Sequence, residues 1–79
     1  MFDYNICTKA DRGIFLKQCK ALEEHIPNLT KKELLVDVDS SEIQIYSLYG
    51  KKLIVYNSYY IDAVYIKSEF DIEEFFRLT

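Results

Sequence analysis

Within residues 34–66, apolar side chains return at every second position in short runs: Leu34, Val36 and Val38; Ile43 and Ile45; Leu53 and Val55; Ile61, Ala63 and Tyr65. A period of two is that of a β-strand, whose successive side chains point to opposite faces. The polar links between the runs leave room only for tight turns. The intervening positions are also largely apolar or aromatic, with Leu35, Tyr46, Ile54, Tyr56, Val64 and Ile66 among them. The chain is therefore expected to form an antiparallel sheet whose two faces both carry apolar side chains, and the constraint that follows is what can cover each face.

Only two segments read as helix. From Asp11 to Ile26, Phe15, Cys19, Leu22 and Ile26 recur at spacings of four, three and four, opposite Lys17, Lys20, Glu23 and Glu24. Thr8 or Asp11 serves as N-cap, and Pro27 with Asn28 ends the segment. A short terminal helix follows Phe70, with Asp71 and Glu74 as a capping pair, Phe70 stapled on Phe75, and Arg77 at the negative end of the dipole. The expected fold is α+β: an N-terminal helix, a four-stranded antiparallel meander and a short C-terminal helix, one domain over residues 1–79, with both helices on one face of the sheet.

Turn chemistry gives the expected registers. Ser40 and Ser41 as a two-residue loop set Val38 opposite Ile43 and Val36 opposite Ile45. Leu48, Tyr49 and Gly50 as a three-residue loop, preferred to a two-residue alternative, put Leu53 and Val55 on the face of Ile43 and Ile45. Asn57, Ser58 and Tyr59 as a similar loop send Ile61, Ala63 and Tyr65 to the helix-covered face, making Tyr65 a core residue. Thr30 to Glu33 also has the form of a capping box, so a helical turn competes with strand there.

A chain of 79 residues holds a single small core. Cys7 and Cys19 do not form a disulfide framework, and no apolar run approaches the roughly 20 residues of a membrane span. A cytoplasmic setting without membrane association is expected. The net charge of −3 is unevenly spread: residues 1–32 carry six basic and four acidic side chains, residues 33–79 four basic and nine acidic. That acidity disfavours nucleic-acid phosphates and favours a basic or apolar partner.

No catalytic, cofactor or metal signature is present, and a non-enzymatic role is expected. His25 has no nucleophile placed near it by any motif. Asp37, Asp39 and Glu42 surround one hairpin, but the segment lacks the length and glycine of a calcium-binding loop and reads as turn chemistry. Gly13 and Gly50 are the only glycines, so no phosphate-cradling loop exists. The order of helix, strands and terminal helix is similar to that of the double-stranded-RNA-binding domain. That family contacts phosphates with a basic cluster opening its last helix, where this chain has Glu69, Phe70, Asp71, Ile72, Glu73 and Glu74.

What remains is the tyrosine content: four tyrosines between Tyr56 and Tyr65. With the registers above, Tyr46, Ile54, Tyr56 and Tyr60 form an outward anchor patch, and Asp37, Asp39 and Asp62 surround it and steer a basic partner. The expected function is protein binding, as in small inhibitors, immunity proteins or mobile-element accessory proteins. The alternatives are a homodimer formed through the same face, and single-stranded nucleic acid stacked on the rings, for which Lys51, Lys52 and Lys67 are the only nearby cations.

Overall fold

The computed structural model of the chain describes residues 1–76. The elements run β1 (Phe2–Cys7), α1 (Arg12–His25), β2 (Thr30–Val36), β3 (Glu42–Leu48), β4 (Lys51–Ser58), β5 (Ala63–Ser68) and α2 (Glu73–Phe76). One sheet has the order β1-β5-β4-β3-β2, with every neighbouring pair antiparallel. The meander of β2 to β5 is the four-stranded unit expected. β1 adds a fifth strand beside β5, so α1 is not the first element but the connection that carries the chain from one sheet edge to the other. The expected N-terminal helix is thereby corrected. β1 gave little signal because Asp3 and Asn5, both poor strand formers, interrupt its apolar residues, and its pairing partner lies at the far end of the chain.

α1 forms where its period places it. Asp11 is the N-cap, its Oδ1 accepting from the Ile14 amide at 3.0 Å. Phe15, Cys19, Leu22 and Ile26 are buried against the sheet. At the other end of the chain Asp71 Oδ1 accepts from the Glu73 amide at 3.0 Å, and Phe70 meets Phe75 edge-on with centroids 6.2 Å apart, the staple expected. The Tyr4 hydroxyl fixes this corner to β1, donating to Asp71 Oδ1 at 2.8 Å and accepting from the Ile72 amide at 3.1 Å. His25 packs its ring on Phe76 at 4.6 Å. Arg77 lies outside the described residues.

The three registers differ from those expected, and each loop shows why. Residues 37–41 form a five-residue loop closed by Asp37 N–H to Ser41 O (2.8 Å) and Ser40 N–H to Asp37 O (3.0 Å), which leaves Val38 fully exposed and pairs Val36 with Glu42. Tyr49 and Gly50 form a two-residue turn with φ of 49° and 82°, the mirror-image turn whose twist matches the strands. Leu48 accordingly pairs with Lys51, and Tyr46 lies opposite Leu53. Residues 59–62 form a four-residue loop with Asp62 at φ 54°, so Ser58 pairs with Ala63 and Ile61 is exposed. The Thr30 to Glu33 segment opens β2 as strand.

As a result, the helix-covered face carries Tyr46, Leu48, Leu53, Val55, Val64 and Ile66, while Ile43, Ile45, Ala63 and Tyr65 point the other way. Tyr65 and Tyr46 have exchanged their expected places. Polar side chains on the covered face decide this choice. The Tyr46 hydroxyl donates to Glu23 Oε2 at 2.6 Å, and Lys31 holds that carboxylate at 3.5 Å. Gln44 Nε2 donates to the carbonyls of Lys32 and Glu33 at 3.1 and 3.2 Å, where a bulge in β2 breaks the ladder. Asn57 Oδ1 accepts from the Asp11 amide at 3.0 Å, and Glu42 pairs with Arg12 at 3.3 Å. Glu23, Arg12 and the Asp11 amide lie on the helix side, and turning the sheet over would exchange the bonds to them for bonds to water.

Two expected outcomes follow. Tyr46→Ala removes a ring with no solvent exposure, and urea denaturation should show a loss of about 3–5 kcal/mol; Tyr46→Phe, which keeps the ring, should lose about 1 kcal/mol. Burial first, then donation to the Glu23 carboxylate, push the Tyr46 hydroxyl well above its ordinary value of 10.0. The folded chain therefore keeps a proton that the unfolded chain releases above that pH, so this stability is complete below about pH 10 and is lost as pH rises further. The urea midpoint should fall above about pH 10 in the native chain and fall less steeply in Tyr46→Phe.

Candidate binding surface on the uncovered sheet face

Neither α1 nor α2 packs on the second face of the sheet. Strand pairing lines up Leu35, Ile43, Tyr56, Tyr65 and Asn5 in one row across all five strands, because each is the cross-strand partner of the next. The adjacent row runs Ile45, Ile54, Lys67 and Asp3. Directly opposed side chains on one face are in contact range. The Tyr56 and Tyr65 rings stack at 4.5 Å with planes 9° apart. Burial first, and then the neighbouring Tyr56, raise the Tyr65 hydroxyl above its usual range.

Two depressions flank this pair of rings. One, of about 160 Å³, lies where the 37–41 and 59–62 loops meet the sheet, and its lining includes Asp37, Asp39, Tyr56, Tyr60 and Tyr65. The Tyr59 amide donates to Ser41 Oγ at 2.8 Å and ties the two loops together. Asp37 Oδ1 accepts from the Val38 amide at 2.7 Å and Asp39 Oδ1 from the Ser41 amide at 2.9 Å. The backbone and hydroxyl of Ser41 hold the Asp39 carboxyl below its usual range. The other depression, an open groove of about 460 Å³, follows β1 and β5 past Asp3, Asn5, Ile61, Ala63 and Tyr65. Asp37 and Asp39 lie at the loop end of the face and Lys52 and Lys67 toward the other, where Asp3 is the cross-strand partner of Lys67.

Of the residues expected to form the patch, Tyr56, Tyr60, Asp37 and Asp39 meet at one depression, and Ile54 lies in the adjoining row. Tyr46 does not belong: the two-residue turn at Tyr49 and Gly50 puts it on the covered face with no exposed surface. Asp62 is a fixing residue, its Oδ1 accepting from the Ala10 amide at 2.8 Å where the chain enters α1. Ile43, Ile45 and Tyr65, expected inside, are the surface residues missed. Choosing the two-residue turn would have put Ile43, Ile45, Ile54 and Tyr56 together.

Comparison with protein-family models, with curated proteins and with solved structures gives no match to this chain. The similarity in element order to the double-stranded-RNA-binding domain also stops short at the N-terminus, where β1 precedes the first helix. No helix among the described residues is long and apolar enough to cross a membrane.

The two faces should respond differently to truncation. Tyr56→Ala removes a partly buried ring and one stacking contact, together about 1–2 kcal/mol. Its urea midpoint should lie above that of Tyr46→Ala. Equal destabilisation of the two variants would contradict the assignment of faces.

Proposed function

We propose that this chain is a non-enzymatic protein-binding module that docks a partner on the uncovered sheet face through Tyr56, Tyr65, Ile43, Ile45 and Ile54. The observation that carries this reading is the continuous apolar row from Leu35 to Tyr65, left without a covering layer by a chain that has already spent its helices on the other face. One-sided antiparallel sheets ordinarily turn a polar row to water, and contiguous exposed apolar surface marks an interaction site. Tyrosine suits that surface, offering a wide ring and a hydroxyl that water or a partner can satisfy. Asp37 and Asp39 at one end favour a partner with a basic margin. Nucleic acid fits less well, because Lys51, Lys52 and Lys67 face an acidic surface.

The sheet edges are poorer docking sites. β2 is exposed at every position, opens with Lys31 and Lys32 and carries a bulge; β1 is also bulged, between Asn5 and Cys7. Lysines and bulges are the devices that keep edge strands from pairing. A second reading has support from the charge polarity of the face: a twofold axis would stack the Asp37 and Asp39 end of one copy on the Lys52 and Lys67 end of another.

Ile54→Lys separates these readings from a face with no role. It sets a charge at the centre of the surface without touching the core. Captured on an affinity resin from source cells, a partner should bind native chain and a Lys17→Glu control alike, and bind Ile54→Lys at least about 30-fold more weakly, the loss of roughly 2 kcal/mol typical of a central contact. If the partner is a second copy, sedimentation of the isolated chain should show a dimer that Ile54→Lys converts to monomer. A partner retained by the folded Ile54→Lys chain would refute the proposal.

A further inference from the structure

We infer that the depression between the 37–41 and 59–62 loops is a receptor for a single arginine side chain presented by the partner. This rests on the reading of the face as a protein-binding surface and names the chemistry that the loop end of that surface would recognise. Three tyrosines, Tyr56, Tyr60 and Tyr65, and two aspartates, Asp37 and Asp39, line the same small space. Its volume of about 160 Å³ has room for the end of one long side chain.

The charge is one-sided. Glu42, also on the lining, is already engaged by Arg12 at 3.3 Å. Asp37 and Asp39 have no ion-pair partner among the described residues; their bonds are to the amides of Val38 and Ser41. Those amide bonds fix the loop and leave each carboxylate with accepting capacity, since an ionised carboxylate offers about four acceptor positions. A cation entering here meets two carboxylates that no cation among the described residues pairs, beside the one that Arg12 already holds.

The rings choose among cations. A guanidinium is planar, weakly hydrated and stacks on aromatic faces while its edge donates to carboxylates; an ammonium does the second but not the first as well. Tyr56 and Tyr65 stack on each other and so form a fixed aromatic wall, which leaves the free ring face to Tyr60. Tyr60 is 90% exposed and stands at the rim, where it can fold over an inserted side chain. The Tyr59 amide bond to Ser41 Oγ keeps the two loops, and hence the rings and the carboxylates, at a fixed separation.

The test uses the full chain, isotope-labelled, titrated with N-acetyl-arginine amide and followed by amide chemical shifts. Saturable shifts should appear at Ser41, Tyr56, Ser58 and Tyr60, with a midpoint in the millimolar range expected of one side chain. N-acetyl-citrulline amide, which keeps the shape and lacks the charge, should give no saturable shift, and N-acetyl-lysine amide should bind several-fold more weakly. Asp37→Asn with Asp39→Asn should weaken the arginine probe by at least about tenfold, and Tyr60→Ala by several-fold. Citrulline binding as well as arginine, shifts confined to other parts of the chain, or the same shifts produced by calcium ion would each overturn the assignment. If the arginine probe fails while Ile54→Lys still abolishes partner capture, the arginine receptor falls and the binding surface stands.

Discussion

Everything in this fold depends on which side of a two-sided sheet the helix covers, and hydrophobicity does not make that choice. β3, β4 and β5 each carry aliphatic or aromatic side chains on both faces. Ile43, Ile45, Ile54, Tyr56 and Tyr65 on one face and Tyr46, Leu53, Val55, Val64 and Ile66 on the other both offer large apolar side chains for α1 to cover. The difference lies in Gln44, Tyr46, Asn57 and Glu42, whose partners are the β2 bulge, Glu23, the Asp11 amide and Arg12. On the open face these groups would bond water, so each bond adds only its net worth of about 0.5–1.5 kcal/mol. Together these bonds favour the face that α1 covers, although Asn57 Nδ2 has no partner there among the described residues.

The open face is then a consequence and not an accident of composition. α1 packs over the middle of the sheet against β4, and Ile72 with Phe75 and Phe76 of α2 extends the same core. Among the described residues no helix closes the other side. The start of α1 is fastened by Asn57, Asp62 and Arg12, all at the end of the sheet where the 37–41 and 59–62 loops also emerge. The same end therefore combines these backbone bonds with the depression lined by Tyr56, Tyr60 and Tyr65. A recognition site placed on a rigid support loses little on ordering when a partner arrives.

Helix α1, its N-cap, the meander of β2 to β5 and the Phe70–Phe75 staple were legible from periodicity and capping chemistry, because those signals are local. The registers were not. Each depends on a loop length, and a difference of one residue turns every side chain of a strand to the opposite face. Tyr49 in a left-handed conformation is an uncommon choice, which made the three-residue loop through Gly50 look better than the two-residue turn that forms. β1 escaped notice because strand pairing across the full chain length leaves no hairpin signature. The site was half visible for the same reason: Ile54, Tyr56 and Tyr60 were on the right side, while Tyr46 and Tyr65 changed places with the register.

Sidedness is measured most directly by solvent paramagnetic relaxation of isoleucine methyl groups in the isolated chain at low concentration. A soluble gadolinium chelate should broaden the methyl signals of Ile43, Ile45 and Ile54 while sparing those of Ile26, Ile66 and Ile72, which are buried beneath the helices. Ile54 as well protected as Ile66 in a dilute monomer would contradict the account, because it would mean that the face described here as open is covered.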